Sequence, residues 1–182
     1  MNIKCKELRE FDINYDLFAD FNRHQEVTKC WRKEDNTWVL KDIAFIEEWM
    51  ETEKNHLVQC LLRSISSGGK VCGAFENNTL VGFLSVEKEL FGSEKQYVEL
   101  TSLHVSAEYR GMGIGKLLFH KALQYCSELG AKKLYISAHS SEESQAFYKA
   151  MGCVEAEEYN MAAVEKEPCD CQLECSLLVS NN

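Results

Sequence analysis

Proline is nearly missing from this 182-residue chain: the only one is Pro168, so no proline-rich hinge or linker divides it. Long apolar runs are missing as well, and the longest falls far short of the roughly 20 residues that span a bilayer. Residues 1–23 carry charges throughout and no apolar signal-peptide centre, which predicts a cytoplasmic protein with no membrane partner. Basic residues are in deficit, 20 against 29 acidic ones, for a formal charge of −9. Nucleic-acid affinity draws on concentrated lysine and arginine, so no nucleic-acid partner is expected. An acidic surface suits a cationic substrate, and it serves solubility equally well.

Paired cysteine knuckles are lacking too. Nine cysteines, an odd number without an export signal, read as free and mostly buried thiols. Cys169, Cys171 and Cys175 come nearest to a metal site, but a zinc knuckle needs a second Cys-x2-4-Cys pair and none follows. Alternation explains residues 169–179 better, as a strand with Cys169, Cys171, Leu173, Cys175, Leu177 and Val179 on its core face. Asp170, Gln172, Glu174 and Ser176 then make a solvated polar face, of a kind that can also bind a cation. No metal is expected.

What is present is apolar material, 45% of the chain, enough to fill one core in a single domain spanning residues 1–182. The pattern predicts a strand over 3–8, a short helix over 15–21 and a hairpin over 30–40 that turns at Glu34, Asp35 and Asn36. A long amphipathic helix is predicted over 44–64, with Phe45, Trp49, Leu57, Cys60, Leu61 and Ile65 near helical period and Gly68 and Gly69 ending it. Strands follow over 71–75, 80–89 and 97–105, then a glycine-rich turn, a helix to Leu129, a strand over 133–137 and a helix over 141–151. With the late strand, this order describes an α/β (α+β) fold on a mixed sheet.

The most informative stretch runs from Val98 to Lys116. A strand enters Arg110, Gly111, Met112, Gly113, Ile114 and Gly115, and a helix begins at once. Such a turn exposes unpaired N–H groups at the positive end of the helix dipole, and glycine lets an anion approach the backbone. Arg110 can add charge-assisted hydrogen bonds. The nucleotide P-loop does not fit, because Arg110 stands where its first glycine belongs and Leu117 replaces its hydroxyl. The dinucleotide fingerprint fails on the spacing of Gly111, Gly113 and Gly115. Arg/Gln-x-x-Gly-x-Gly/Ala matches at every position, as Arg110, Gly113 and Gly115.

With this motif, with Leu103, His104 and Val105 before it, and with Ala146, Phe147, Tyr148 and Gly152 after it, the chain resembles the GNAT superfamily of N-acetyltransferases. The resemblance covers residues 70–154, and it implies a largely antiparallel sheet whose two central parallel strands splay apart around acetyl-CoA. It implies pyrophosphate contacts from the turn (Arg110, Gly111, Met112, Gly113, Ile114, Gly115 and Lys116), and a pantetheine arm paired like an extra strand beside Leu103, His104 and Val105. Ser141, standing where the family usually has Asn, would contact the cofactor arm with Phe147 and Tyr148. Ser144 and Cys153 depart from the second motif. Residues 1–67 and 155–182 would shape the acceptor site, and the molecule would be a monomer or homodimer.

A free alkyl amine, with a pKa near 10.4, is almost wholly protonated at pH 7, so acetyl transfer needs a proton acceptor and a donor for the leaving thiolate. Strict alternation places Glu99, Thr101, Leu103 and Val105 on one face, and the resemblance makes Glu99 the candidate base. Tyr148 matches the family tyrosine that serves as general acid. His104 alternates away from Glu99 and reads as a packed or exposed histidine, while His139, after the 133–137 strand, is placed to reach the site. Trp31 and Trp38 would wall the acceptor cleft or close a small core. The expected acceptor is a small amine or a peptide, and a silent acyl-CoA-binding module is the reading from another class.

Overall fold

The computed structural model describes residues 2–177, which hold nine strands and four α-helices. Seven strands form one sheet, in the order β1 (Lys4–Glu7), β4 (Lys70–Glu76), β5 (Thr79–Val86), β6 (Tyr97–Val105), β7 (Lys133–Ala138), β9 (Cys171–Ser176) and β8 (Val154–Glu155). All neighbours are antiparallel except β6 and β7. A separate hairpin joins β2 (Gln25–Glu34) to β3 (Thr37–Glu47). Its turn residues, Asp35 and Asn36, have φ of 47° and 62°, and Asn77 and Asn78 turn β4 into β5 at 47° and 71°. Asn and Asp tolerate the left-handed backbone that a two-residue hairpin turn demands.

Alternation along the strands sends side chains to two cores. On one face Leu84, Val86, Val98, Leu134 and Ile136 pack with Leu118, Phe119 and Ala122 of α2 (Ile114–Glu128). On the other, Val71 and Phe83 meet Phe18, Phe21 and the Leu57, Val58 and Leu61 stripe of α1 (Glu51–Ser66). Phe83 is fully buried and meets Phe18 and Phe21 edge-on at 5.3 Å, so truncating it to alanine removes about 3–5 kcal/mol. α2 can lie this close to the sheet because Gly82 has no side chain: a Cβ there would stand 2.9 Å from Leu118.

Three expectations need correction. The helix predicted over 44–64 starts only at Glu51; Phe45 and Ile46 belong to β3, paired with Val27 and Glu26. Helix formation waits for the Glu53 carboxylate, which accepts the Met50 amide at 3.0 Å and favours the positive helix end together with Glu51. The segment 15–21 holds one 3-10 turn, Asp16–Phe18. The polar face of the last strand is solvated only at its ends: Ser176 is exposed and Asp170 partly so, whereas Gln172 and Glu174 are each 3% exposed. They lie inside the sheet and accept hydrogen bonds from Tyr135 and Tyr97, and Lys133 adds a 2.8 Å ion pair to Glu174. On the opposite face Cys171 and Cys175 are buried, Cys169 is exposed, and Val179 lies outside the described residues. Six of the nine cysteines are buried.

Two elements were not foreseen, β8 and the six-residue α4 (Met161–Lys166). A signal for α4 existed: Asn160 caps it, accepting the Ala162 amide at 3.2 Å, ahead of a run of helix formers that stops before Pro168.

Candidate active site

β6 and β7 pair for only three residues, Tyr97 with Lys133, Val98 with Leu134 and Glu99 with Tyr135. Beyond Glu99 they part. Just past that point β6 carries an extra residue: Leu100 and Ser102 pair with consecutive Val86 and Ser85 of β5, leaving Thr101 as a bulge. A bulge bends a strand and ends regular pairing. It also resets alternation. Val98, Leu100, Leu103 and Val105 all pack on the α2 core, whereas Glu99, Ser102 and His104 share the opposite face with Phe83 and Ser85. The reading that grouped Glu99 with Leu103 and Val105 and set His104 apart is therefore corrected, because simple alternation cannot see an inserted residue.

The freed edge of β6 offers backbone groups. Ser106 donates its amide to Val81 of β5 at 2.9 Å, so alternation turns the amides of Leu103 and Val105 the other way, into the gap. Arg110 Nε reaches the Val105 carbonyl at 3.1 Å. Gly113 is the N-cap of α2 at φ 83°, and no side chain caps that helix end. Gly111 and Gly113 face open space, where a Cβ would meet nothing within 4 Å, and both take the positive φ that glycine adopts freely. Gly115 is different: a Cβ there would stand 3.2 Å from the Phe147 ring. The turn, the β6 edge and Phe147, Tyr148 and Met151 enclose a cleft of about 700 Å³ that Gly111, Gly113, Gly115 and Lys116 also line. Ile114 turns its side chain into the core and has only backbone to offer, while Met112 is exposed.

A second cleft, of about 440 Å³, adjoins the first and shares Leu103, Val105, Arg110, Ser144 and Tyr148 with it. It holds the carboxylates of Glu47, Glu99, Glu167 and Asp170, and the cations of Arg23, Arg110 and Lys166. Burial, helped by the nearby charge of Glu87, pushes Glu99 above the usual carboxylate range, against Lys166 and the 3.2 Å hydrogen bond from Asn160. Burial likewise raises Asp170, whose Oδ2 accepts from Ser137 at 3.3 Å. Tyr148 is 9% exposed and packs edge-on against Phe119 and Phe147. Burial holds its phenol well above its ordinary value near 10, so it stays protonated at neutral pH. His104 is driven down to about 3 by burial and by Arg23 and Arg110; neutral, it packs 4.8 Å from Trp49.

The structure gathers Glu99, Tyr148, Leu103, His104, Val105, Arg110 and His139 along the second cleft. Ser141 is not among them. It is fully buried and spends its hydroxyl on the α3 (Glu142–Ala150) cap, accepting the Ser144 amide at 3.3 Å, and Ser144 lines the clefts in its place. Of the last strand's polar residues only Asp170 lines this cleft, while Trp31 and Trp38 line a separate groove along α3. Sequence reasoning missed Arg23, Glu47 and Lys166. Glu47 accepts from Arg23 at 2.5 Å and lies 3.3 Å from His139 Nε2; His139 Nδ1 takes the Ser141 amide, which leaves the proton on Nε2. No periodicity announces that contact, since Glu47 and His139 come from opposite halves of the chain.

The comparisons agree with this geometry. A family profile described as the acetyltransferase (GNAT) family matches residues 23–153. A Bacillus subtilis (strain 168) protein, named as a candidate ribosomal protein bS18-alanine N-acetyltransferase, is 33% identical over 55 residues, 30% of this chain; the match spans only 36% of that relative. The fold resembles a candidate streptothricin acetyltransferase from Bacillus anthracis str. Ames, solved with acetyl coenzyme A, at TM-score 0.72 and 16% identity over 97% of this chain and 99% of that one. A nourseothricin acetyltransferase gives TM-score 0.63 and 14% identity, covering 96% of each chain. Splayed strands, a bare glycine-started helix and a profile match across most of the chain lead to one conclusion: this protein belongs to the GNAT acetyltransferase family.

Proposed function

We propose that the chain transfers the acetyl group of acetyl-CoA to a primary amine by direct attack in a ternary complex, the acceptor being a small cationic metabolite or antibiotic. One observation carries the reading: two clefts, one offering bare backbone donors and one holding the Glu99 carboxylate among other charged side chains, meet at Tyr148 and the free edge of β6. The residues present fit acetyl-CoA. The uncapped α2 end with Gly111 and Gly113 suits a pyrophosphate, and Leu103 and Val105 offer a strand edge to a pantetheine amide. Bound there, acetyl-CoA supplies an activated acetyl thioester.

The chain's own groups divide the remaining work. Glu99 accepts the proton that the attacking amine gives up, and its raised pKa makes it the stronger base for that step. A β6 amide facing the gap, that of Val105 in this assignment, steadies the carbonyl oxygen as negative charge develops there. Tyr148 donates its phenolic proton to the departing sulfur, whose bond to the acetyl carbon breaks as the new C–N bond forms. Glu47, Asp170 and Glu167 favour a positively charged acceptor. Residues 70–154 hold the donor in this scheme, while residues 1–67 and 155–182 shape the acceptor side.

A peptide amino terminus is a second reading, favoured by one observation. The acceptor cleft continues into a groove of about 930 Å³ along α1, with Trp49, Thr101, Ser102, His104, Lys166 and Glu167 common to both. CoA-thiol release from acetyl-CoA, measured against polyamines, aminoglycosides, amino acids and short peptides, tests both readings. Release with a small amine supports the first, and release with peptides alone supports the second. Acetyl-CoA binding by calorimetry with no release across the panel points instead to a silent binding module.

A further inference from the structure

Glu87, the first residue after β5, stands opposite Glu99: its amide donates to the Glu99 carbonyl at 2.9 Å. Directly opposed residues on neighbouring strands have Cβ atoms about 4.5–5.5 Å apart. Both side chains line one cavity with Lys88, Glu89, Phe91 and Asn160, so both carboxylates turn to the same side of the sheet. Glu87 is held in place. Ser64 of α1 and Thr101, the bulge residue, both donate to its Oε1, the latter at 3.2 Å. Among the described residues neither carboxylate has a Lys, Arg or His nitrogen within 4 Å.

Burial, and then the charge of Glu87 opposite, hold Glu99 above the usual carboxylate range. The other groups around Glu99 are Lys166 and Asn160 of α4 and its cap, Tyr135 of β7, His104 farther along β6, and Glu167 and Asp170 across the cleft. Beside Glu87, the groove along α1 adds Glu53, His56 and Arg63. Lys166 is the cation that acts on Glu99, and it opposes Glu87.

We propose that Glu87 is a positioning residue for acetyl transfer: tethered by Ser64 and Thr101 directly opposite Glu99, it acts on that carboxylate without touching the acceptor. The inference rests on Glu99 being the base. Glu87 gives the fold a way to strengthen a catalytic carboxylate beyond what burial does. Ser64 and Thr101 matter because a wandering charge would be screened by solvent, and two donors hold it close.

The test compares kcat against pH, at saturating acetyl-CoA and acceptor, in the wild type, Glu87→Gln, Glu87→Asp and Glu99→Gln. Glu87→Gln is expected to move the acid limb down by about half to one pH unit and to lower the plateau about threefold. Glu87→Asp, which keeps the charge, is expected to return the limb toward the wild-type position. Acetyl-CoA affinity is expected to be unchanged in both. A carboxyl-carbon NMR titration of Glu99 in the substrate-free protein reads the same shift without turnover. A limb and an NMR midpoint that stay in place in Glu87→Gln overturn the proposal, even where Glu99→Gln is inactive and the base assignment stands. Wild-type turnover in Glu99→Gln removes the base assignment itself, and the proposal with it.

Discussion

The two clefts are built by different means. The wall at the start of α2 is made by one continuous stretch of chain, and its working groups are amides exposed by glycine and by a strand that loses its neighbour. The wall proposed for the acceptor is assembled from side chains that arrive separately: Arg23 from before the hairpin, Glu47 from its end, Glu99 from mid-sheet, His139 from after β7, and Lys166 and Asp170 from the last third. Backbone sites depend on conformation, so they leave a compact signature of glycines at fixed spacing. Side-chain sites depend on tertiary contacts, so they can be rebuilt around a different acceptor while the donor wall stays as it is.

If the two walls divide the work in this way, substitutions should separate donor affinity from turnover. The largest effect is expected from Glu99→Gln: turnover at neutral pH down by about 100-fold or more, with acetyl-CoA affinity intact by calorimetry. Unchanged turnover would move the base elsewhere on the acceptor wall. Tyr148→Phe is next, with kcat reduced about tenfold and acetyl-CoA binding altered much less; a silent substitution returns Tyr148 to packing against Phe119 and Phe147. Gly113→Ala works in the opposite direction. It meets no clash, but its φ of 83° costs a side chain about 1–2 kcal/mol; the free turn relaxes to escape that strain and must take it on again to bind, so acetyl-CoA should bind about tenfold more weakly while saturated turnover holds.

Smaller effects sharpen the acceptor side. Glu47→Gln, which breaks the link to His139 and Arg23, is expected to raise the acceptor KM several-fold and leave acetyl-CoA affinity alone; a change confined to acetyl-CoA would break the division between the walls. The smallest concerns the hairpin. Glu155 pairs with Lys33 at 2.5 Å, and hydrogen bonds from Lys33, Tyr159 and Trp38 lower its pKa to about 2. A carboxylate lowered in this way stabilises the fold above its unfolded value near 4.5, and the contribution disappears as pH falls from there to about 2. Because the pair is exposed, Glu155→Gln should cost only about 0.5 kcal/mol at pH 7, and its melting temperature should converge on the wild type as pH falls to about 2.

How much the sequence disclosed follows the same line. The Arg110–Gly113–Gly115 spacing and the Phe147–Tyr148 pair placed the cleft, and strand alternation gave most of the sheet. Asp170 and His139 were visible as candidates, but Glu47 and Lys166 were not, because long-range contacts leave no local period. Gln172 and Glu174 looked solvated because polar alternation normally means solvent; their burial depends on Tyr97 and Tyr135, two tyrosines on separate strands. Ser141 looked like a ligand contact because a serine at a loop-to-helix junction has two uses, and here the cap took it.

Thr101 adds a residue to β6 without moving a single apolar side chain off its face. Its deletion would leave Val98, Leu100, Leu103 and Val105 in register with the core while removing the bend. Nothing in the apolar pattern would then keep β6 from zipping onward against β7. The expected product is a stable, ordinary parallel pair with no gap to enter, a protein that keeps its core and loses its doorway.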